Sequence, residues 1–223
     1  MPLAPSSTRV FAVAALVALA TLVTASPVQT QGNYGTHGRF EITPFGGYQW
    51  GGSFETDASN AIPEGELNAK DAASWGVILS RYQYSGTAAE IFYLRQDADV
   101  TFDARGEGPR SVGQLASNYI QIGGRRALRE EGVSPFISAS LGANILDADD
   151  ADGVWRFAFT LGGGVRVPLS NPRVALRIDA RWMATLIPSG DLDSWCSVWG
   201  CYTAEGSTLL NQGQASAGLS IGF

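Results

Sequence analysis

The amino-acid sequence predicts an all-β fold: an eight-stranded antiparallel up-and-down transmembrane β-barrel, preceded by a cleavable signal peptide. Three observations support this prediction. Apolar residues alternate with small or polar ones over several segments, long and short connections alternate, and the N-terminus carries one apolar run. No other apolar run among the 223 residues is long enough for a spanning helix, so residence in a membrane would require a closed barrel.

The clearest alternation lies in residues 155–186, which indicate two strands joined by a turn. In residues 155–167 the odd-numbered positions are Trp, Phe, Leu, Gly or Val, and the even-numbered ones are Arg, Ala, Thr or Gly. In residues 174–183 the even-numbered positions are apolar and the odd-numbered ones include three charged residues. Because successive side chains of a strand point to opposite faces, this hairpin has one apolar face and one charged or small face.

The direction of the apolar face separates a soluble barrel from a membrane barrel. In a soluble barrel the apolar face fills the interior, whereas in a membrane barrel it meets lipid and the charges line the interior. Long side chains opposite small ones suit a crowded interior, which favours the membrane barrel. A register with Val167 opposite Val174 gives three such pairs: Arg177 with Gly164, Asp179 with Gly162, and Arg181 with Thr160.

The N-terminal residues 1–25 predict a secretory signal peptide. Arg9 precedes an apolar run over residues 10–23, and the small residues at 23–25 suit a signal peptidase. The alternative, a membrane-anchoring helix, needs about 20 apolar residues, and this run is shorter. The domain prediction is a signal peptide over 1–25, a short periplasmic segment over 26–37 and a barrel over 38–223.

The charge balance bounds the possible partners. Once Arg9 is removed with the signal peptide, 14 Lys and Arg residues oppose 21 Asp and Glu residues, a net charge of −7. An acidic chain without a basic patch argues against a nucleic-acid partner.

Eight strands follow in order along the chain. The connections after the first, third and seventh strands are long, and the one after the fifth is short but acidic. The others are short turns, and 16 of the 21 acids lie in the first group of connections. Outer-membrane barrels have long outer loops and short inner turns, so both termini are expected on the periplasmic side. The predicted strands are residues 39–54, 73–84, 87–96, 114–127, 135–146, 155–167, 174–186 and 213–223.

The first and last strands carry a family resemblance. The segment Phe40-Glu-Ile-Thr-Pro-Phe-Gly-Gly-Tyr48, the alternation of small and aromatic residues, and the end Leu219-Ser-Ile-Gly-Phe223 resemble the OmpA/OmpX-type outer-membrane β-barrel superfamily. The resemblance covers about residues 38–223 and implies residence in the outer membrane. It also implies that the barrel-assembly machinery reads Leu219, Ile221 and Phe223 as an insertion signal.

The facing of the second and third strands stays open at this stage. A two-residue loop at Ser85-Gly86 would pair Arg81 with Glu90 on one face, together with Trp75 and Phe92. A three-residue loop with a bulge reverses that parity. We expect Glu90 to point inward.

The candidate site is a network of charged residues inside the barrel. One functional interpretation is a polar gate that opens a narrow pore when ion pairs exchange partners. The favoured interpretation is a salt-bridged plug, because eight strands leave an interior just wide enough for side chains to fill. The predicted members are Glu41, Glu90, Arg156, Arg166, Arg177, Asp179 and Arg181.

The fourth outer loop contains the two cysteines. Cys196 and Cys201 predict a disulfide, since export reaches an oxidising compartment, and a metal site would need two further ligands. The nearby aromatic residues are expected in the interfacial belt. The acidic segment 147–153 departs from the calcium-loop pattern and predicts a solvated turn; divalent cations bridging to lipopolysaccharide phosphates are the alternative.

Catalysis is not expected. The single histidine, His37, precedes the first strand on the periplasmic side, so a hydrolytic triad would lack its base. No cofactor or metal is expected. The predicted function is that of an integral outer-membrane barrel with a structural or surface-interaction role. The alternatives are a narrow pore or transporter for small or hydrophobic solutes, and a soluble secreted ligand-binding barrel. The expected partners are outer-membrane lipid, lipopolysaccharide and the barrel-assembly machinery, with the barrel as a monomer.

Overall fold

The computed structural model describes most of the barrel in ten stretches of the chain. They are residues 40–56, 65–83, 86–104, 108–129, 131–148, 153–171, 173–187, 196–197, 200–201 and 208–223. The predicted signal peptide and N-terminal segment, with most of the predicted outer loops, lie outside these residues. Within them, no helix is long and apolar enough to cross a membrane.

Twelve strands form in the described residues. They are β1 (Phe40–Trp50), β2 (Ser53–Thr56), β3 (Gly65–Ala69), β4 (Ala72–Tyr82), β5 (Thr87–Ala104), β6 (Pro109–Ala127), β7 (Ser134–Ala148), β8 (Val154–Pro168), β9 (Val174–Ile187), β10 (Cys196–Ser197), β11 (Gly200–Cys201) and β12 (Thr208–Gly222).

Eight of these strands close into a ring in which every pair is antiparallel. The order around the ring is β1, β4, β5, β6, β7, β8, β9 and β12, and β12 pairs back onto β1. The β2–β3 hairpin extends the wall beside β5, and β10 and β11 form a separate small hairpin. The predicted eight-stranded antiparallel barrel is confirmed.

Strands β5 and β6 are longer than predicted at their outer ends, the ends that adjoin the predicted long loops. β5 continues to Ala104 and β6 begins at Pro109, although residues 97–110 were expected to be a polar connection. Alternation in fact continues there, because Ala98, Val100 and Phe102 are buried while Asp97 and Asp99 are exposed. The acidic residues on the outward face make the composition of residues 97–110 resemble that of a loop, which explains why a loop was expected there.

The hairpin of β8 and β9 has a register two residues away from the predicted one. Arg181 lies opposite Gly162, Asp179 opposite Gly164, and Arg177 opposite Arg166. The ladder runs further than expected, because the Leu169 amide donates to the Val174 carbonyl at 3.0 Å and leaves a shorter turn. A shift of two preserves which face each side chain occupies, so the inward facing of the three charged residues stands.

The structure also shows which faces of β4 and β5 point into the barrel. Ser80 pairs with Glu90, and Arg81 pairs with Ala89. Glu90 therefore points inward with Phe92, whereas Arg81 and Trp75 point outward. Of the two alternatives left open, the one that pairs Arg81 with Glu90 does not occur, because the Gln83 amide donates to the Thr87 carbonyl at 2.9 Å.

The two faces of the wall differ sharply in polarity. Large apolar side chains cover the outside; Ile122 and Trp155, for example, are 61% and 63% exposed. The inside carries charged and amide side chains that are almost entirely buried, including Arg177, Glu41 and Gln214. This is the reverse of a soluble barrel, whose apolar residues lie inside.

Candidate functional site: the charged barrel interior

A cluster of seven charged side chains crosses the barrel near the short-turn end. We call it the charged layer; its members are Glu41, Glu90, Arg125, Arg166, Arg177, Asp179 and Arg181, and all are at most 9% exposed. They come from five strands: β1, β5, β6, β8 and β9. Four arginines face three carboxylates, so the layer carries a formal charge of +1.

Arg177 lies at the centre of the charged layer and has no exposed surface. Its Nη1 donates to Glu90 Oε1 at 2.7 Å and its Nη2 to Glu90 Oε2 at 3.2 Å, a bidentate contact. Its Nε donates to Asp179 Oδ2 at 3.0 Å. The guanidinium carbon also lies 4.8 Å from the ring centre of Phe136. Arg177 thus joins carboxylates of β5 and β9 across the barrel.

Arg181 extends the layer towards the middle of the barrel. Its Nη2 donates to Asp179 Oδ1 at 2.7 Å, and its Nη1 donates to Gln214 Oε1 at 3.1 Å. Its guanidinium carbon lies 4.7 Å and 5.4 Å from the ring centres of Phe92 and Phe45, which stack on each other. The faces of these rings supply negative potential to a buried cation.

Glu41 gathers a second set of partners. Arg166 Nη2 donates to Glu41 Oε2 at 3.0 Å, and the Tyr82 hydroxyl donates to the same oxygen at 3.0 Å. Arg125 Nη2 donates to the Tyr82 hydroxyl at 3.0 Å. Arg125 Nε lies 3.1 Å from Glu90 Oε1, an ion-pair distance at which hydrogen-bond alignment is lacking. Arg125 therefore connects the Glu41 set to the Glu90 set.

Glycines on the inward face make room for these side chains. A Cβ on Gly164 would lie 2.0 Å from the Ile178 carbonyl oxygen and 2.8 Å from Phe136 Cζ. A Cβ on Gly162 would lie 2.9 Å from Arg181 Cγ. The predicted placement of a small residue opposite a charged one holds for Arg181 and Asp179, which lie opposite Gly162 and Gly164, but not for Arg177, which lies opposite Arg166.

A neutral layer fills the interior above the charged one, towards the outer end. The Tyr119 hydroxyl donates to Gln212 Oε1 at 2.6 Å and lies 3.1 Å from Thr185 Oγ1. Asn144 Nδ2 donates to Thr185 Oγ1 at 3.2 Å. Gln212 Nε2 donates to Gln96 Oε1 at 3.4 Å. We call Gln96, Tyr119, Asn144, Thr185 and Gln212 the neutral layer.

The residues predicted for the interior network divide into two groups. Six of them meet in the charged layer: Glu41, Glu90, Arg166, Arg177, Asp179 and Arg181. Arg156 does not join them, because it lies opposite Asn144 near the outer end of β8, where its Nη1 donates to the Trp155 carbonyl at 3.2 Å. Arg156 shares its parity with the other members, which places it on the same face of the wall. Contact also requires the same height along the barrel axis, and Arg156 lies at a different height.

Sequence reasoning missed Arg125 and Tyr82. The signal for Arg125 was available, because it shares its parity in the predicted strand with Gln121 and Gly123, opposite the apolar Ile120 and Ile122. Tyr82 could not be assigned while the facing of its strand was open. The aromatic partners Phe45, Phe92 and Phe136 had no distinctive signal.

The other predicted residues lie away from this layer. Leu219 and Ile221 point outward, and the Phe223 ring stacks on Phe40 with 6.1 Å between ring centres. Backbone pairing places Cys196 opposite Cys201, and their disulfide stays a prediction. Most of the acidic segment 147–153, together with His37, lies outside the described residues. Among the described residues, no group of three or more His, Cys, Asp or Glu could hold a metal ion.

A small cavity adjoins the charged layer. This cavity of about 10 Å³ lies against Glu90, Thr160 and Arg181, which is room for about one water molecule. Each carboxylate contacts at least one arginine, so the charges neutralise one another locally. Chemically, such an arrangement can hold strands together and block ion flow.

Comparison with known proteins bears on the fold. No protein-family model matches the sequence, and no curated protein sequence matches it. The solved structures that are similar include the outer-membrane protein AlkL in lipid bilayers at 14% identity, OprG from Pseudomonas aeruginosa at 10%, and Neisserial surface protein A at 16%.

These similarities extend over nearly the whole barrel. The AlkL match covers 89% of this chain and 96% of that one with a TM-score of 0.55, and the OprG match covers 85% and 98% with 0.53. The match to Neisserial surface protein A covers 82% and 97% with a TM-score of 0.48. The chain therefore has the fold of the small eight-stranded outer-membrane β-barrels.

Proposed function

We propose that the protein is an integral outer-membrane β-barrel whose interior is sealed by the charged layer and whose long loops face the cell exterior. The observation that carries this proposal is the inverted polarity of the wall. Trp75, Ile122 and Trp155 are more than half exposed, whereas Arg177 and Glu41 are at most 1% exposed. A soluble protein rarely exposes so continuous an apolar surface.

The energetics of the two faces favour the same conclusion. Burying ionised side chains costs several kcal/mol each, and partners with good geometry are needed to offset that cost. The charged layer supplies such partners, so its burial is tolerated. The apolar exterior has no comparable compensation in water, because its large side chains would remain hydrated. In a bilayer the same exterior is stabilised by contact with acyl chains.

The proposed role is structural or surface-interacting, with no enzymatic activity. The closed interior disfavours a steady pore, and the acidic residues concentrate in the predicted outer connections. Asp97, Asp99 and Asp103, at the outer end of β5, are exposed and extend that acidic character onto the wall. The proposed partners are outer-membrane phospholipid, lipopolysaccharide and the barrel-assembly machinery. We expect a monomer with both termini in the periplasm.

Cell fractionation with heat-modifiable gel mobility tests location and fold together. We expect the protein in the outer-membrane fraction, with an unheated band that migrates differently from the boiled one. Recovery of the mature chain as a freely soluble monomer without detergent would contradict the proposal.

Planar-bilayer recording tests the seal. The refolded wild-type protein is expected to give no steady conductance, because the charged layer obstructs the interior. A steady current that changes in Asp179→Ala would instead support a gate operated by ion-pair exchange.

A second candidate function is transport of small hydrophobic solutes. The observation that favours it is an apolar inward lining above the neutral layer, at the outer end. Its residues Val100, Phe102, Leu115, Ile187 and Leu210 are all at most 9% exposed. Such a lining would receive an apolar solute from outside. Uptake of an apolar dye into vesicles should then fall in Leu210→Asn, whereas dye uptake equal to that of empty vesicles would exclude this function.

A further inference from the structure

Two outward-facing arginines lie close together at the short-turn end of the wall. Arg81 is near the end of β4 and Arg126 near the end of β6, and both side chains are exposed. β5 runs between them, with Ala89 opposite Arg81 and Thr87 opposite Arg126. Since neighbouring strands lie about 4.8 Å apart, the two backbones are separated by about 10 Å.

The wall between these arginines carries only small side chains. Ala89 lies opposite Gly124, and Thr87 lies next to it on the same face. We call Thr87, Ala89 and Gly124, with the flanking Arg81 and Arg126, the rim recess. The Arg81 guanidinium lies over Phe40 on the β1 side of β4, and a change of rotamer would bring it over β5. Because an arginine side chain is long, both guanidinium groups could then reach a single group seated over the recess.

The arginines of the rim recess lack acidic partners within the described residues. The Arg81 guanidinium carbon lies 6.0 Å from the ring centre of Phe40, and no carboxylate contacts it there. Basic residues at the outer end are different: Arg95 pairs with Asp97 at 2.6 Å, and Lys70 lies 3.9 Å from Asp99. As far as the described part of the chain goes, the rim recess is thus a site of uncompensated positive charge on the outside of the wall.

A continuous apolar row borders the rim recess on its barrel-centre side. Leu79 pairs with Ile91, and Ile91 pairs with Ile122, so three large side chains stand side by side on adjacent strands. They are 45%, 53% and 61% exposed, respectively. A ligand that fits both surfaces has an anionic group followed directly by hydrocarbon.

We propose that the rim recess binds one anionic phospholipid, with its phosphate between Arg81 and Arg126 and its acyl chains over Leu79, Ile91 and Ile122. The inference rests on the proposed membrane function, which places this end of the wall at a lipid–water boundary. Arginine binds phosphate oxygens in a bidentate manner through its planar set of donors. Thr87, on the same face of β5, carries a hydroxyl that would add one further donor.

The test is native mass spectrometry of protein released from lipid nanodiscs. The nanodiscs contain equal amounts of phosphatidylglycerol and phosphatidylcholine with identical acyl chains. We expect the wild-type barrel to retain one phosphatidylglycerol in preference to phosphatidylcholine. The preference should fall about fivefold for each of Arg81→Ala and Arg126→Ala, since a basic residue near an anionic lipid contributes about that factor.

Matched variants separate a defined site from general charge attraction. Arg173→Ala removes an exposed arginine from the same end, in the turn between β8 and β9, and should keep the preference. Ala89→Leu fills the recess without changing the charge and should reduce the preference. Ala180→Leu, on the exterior of β9, is its size-matched control and should not.

The outcomes distinguish the lipid site from the membrane proposal. Heat-modifiable mobility reports whether each variant has inserted and folded. A folded wild-type barrel without a phosphatidylglycerol preference would overturn the site and leave the membrane function intact, and so would an equal loss in Arg173→Ala. Failure of the wild-type protein to insert into any bilayer would overturn both.

Discussion

The two layers of the barrel interior fill the same kind of space with different chemistry. In the charged layer, Arg177 contacts two carboxylates, and Glu90 contacts two arginines. In the neutral layer, the Tyr119 hydroxyl donates to Gln212 Oε1 at 2.6 Å and lies 3.1 Å from Thr185 Oγ1, which accepts from Asn144 at 3.2 Å. Loss of a carboxylate leaves further uncompensated positive charge in the first layer, whereas loss of a member of the second leaves only an unmade hydrogen bond. The interior therefore concentrates its sensitivity to mutation at the short-turn end.

The largest expected effect is in the charged layer. Glu90→Gln removes one of three carboxylates facing four arginines and raises the layer's charge to +2. We expect the free energy of unfolding to fall by about 3–5 kcal/mol, the usual cost of breaking a buried ion pair. Urea titration in lipid vesicles measures it. A loss no larger than that of Tyr119→Phe would remove the distinction between the layers.

The next effect tests whether charge is tolerated because it faces inward. Ile178 lies beside Asp179 on β9 but points outward and is 45% exposed. Ile178→Arg should lower the free energy of unfolding by about 2 kcal/mol, since the cost of a lipid-facing arginine falls from about 2–4 kcal/mol at the bilayer centre towards the interfaces. Ala180→Leu, two residues further on the same face, is the control and should be nearly neutral. Equal assembly of both variants would contradict the assigned facing.

Two glycines test how closely the inward face of the wall is packed, because replacing each by alanine changes only its size. Gly164→Ala in the charged layer would place Cβ 2.0 Å from the Ile178 carbonyl oxygen, whereas a Cβ on Gly46 meets nothing within 4 Å. We expect a loss of about 1–3 kcal/mol for Gly164→Ala, because overpacking shifts the backbone. Gly46→Ala should leave the unfolding midpoint unchanged. Similar midpoints for both would indicate that the inward wall is loosely packed.

The smallest expected effect is in the neutral layer. Tyr119→Phe removes a hydroxyl that donates to Gln212 and lies 3.1 Å from Thr185. The free energy of unfolding should fall by about 1 kcal/mol, the net contribution of an ordinary hydrogen bond. The same urea titration applies, with Tyr48→Phe on the exposed face of β1 as the control.

Much of this architecture could be predicted from the local alternation of apolar and polar residues. The eight strands and the inward facing of Arg177, Asp179 and Arg181 depend only on parity, which the period of two preserves. The pairing partners depend on turn geometry: the bond from Leu169 to Val174 moved the hairpin by two residues, and no alternation pattern detects such a shift.

The membership of the charged layer was harder to predict, for a different reason. Arg156 and Arg166 share a strand and a face, yet only Arg166 reaches Glu41. Their separation of ten positions corresponds to about 33 Å along a strand, and a sequence without registers does not show which heights coincide. Arg125 shows the converse, because its ion pair with Glu41 joins β6 to β1, a strand that is its neighbour neither in sequence nor in the ring.

The junction between β1 and β12 has a consequence for how the protein forms. Phe40 and Phe223 exchange backbone hydrogen bonds of 2.9 and 3.2 Å, and Thr43 bonds Ser220 across 177 positions of sequence. Until β12 has been synthesised and has paired with β1 and β9, the other strands can form only an open, curled sheet with two unpaired edges. Such long-range pairing slows folding and exposes those edges to other chains. Closure is therefore the kinetically vulnerable step, during which the chain requires protection from aggregation.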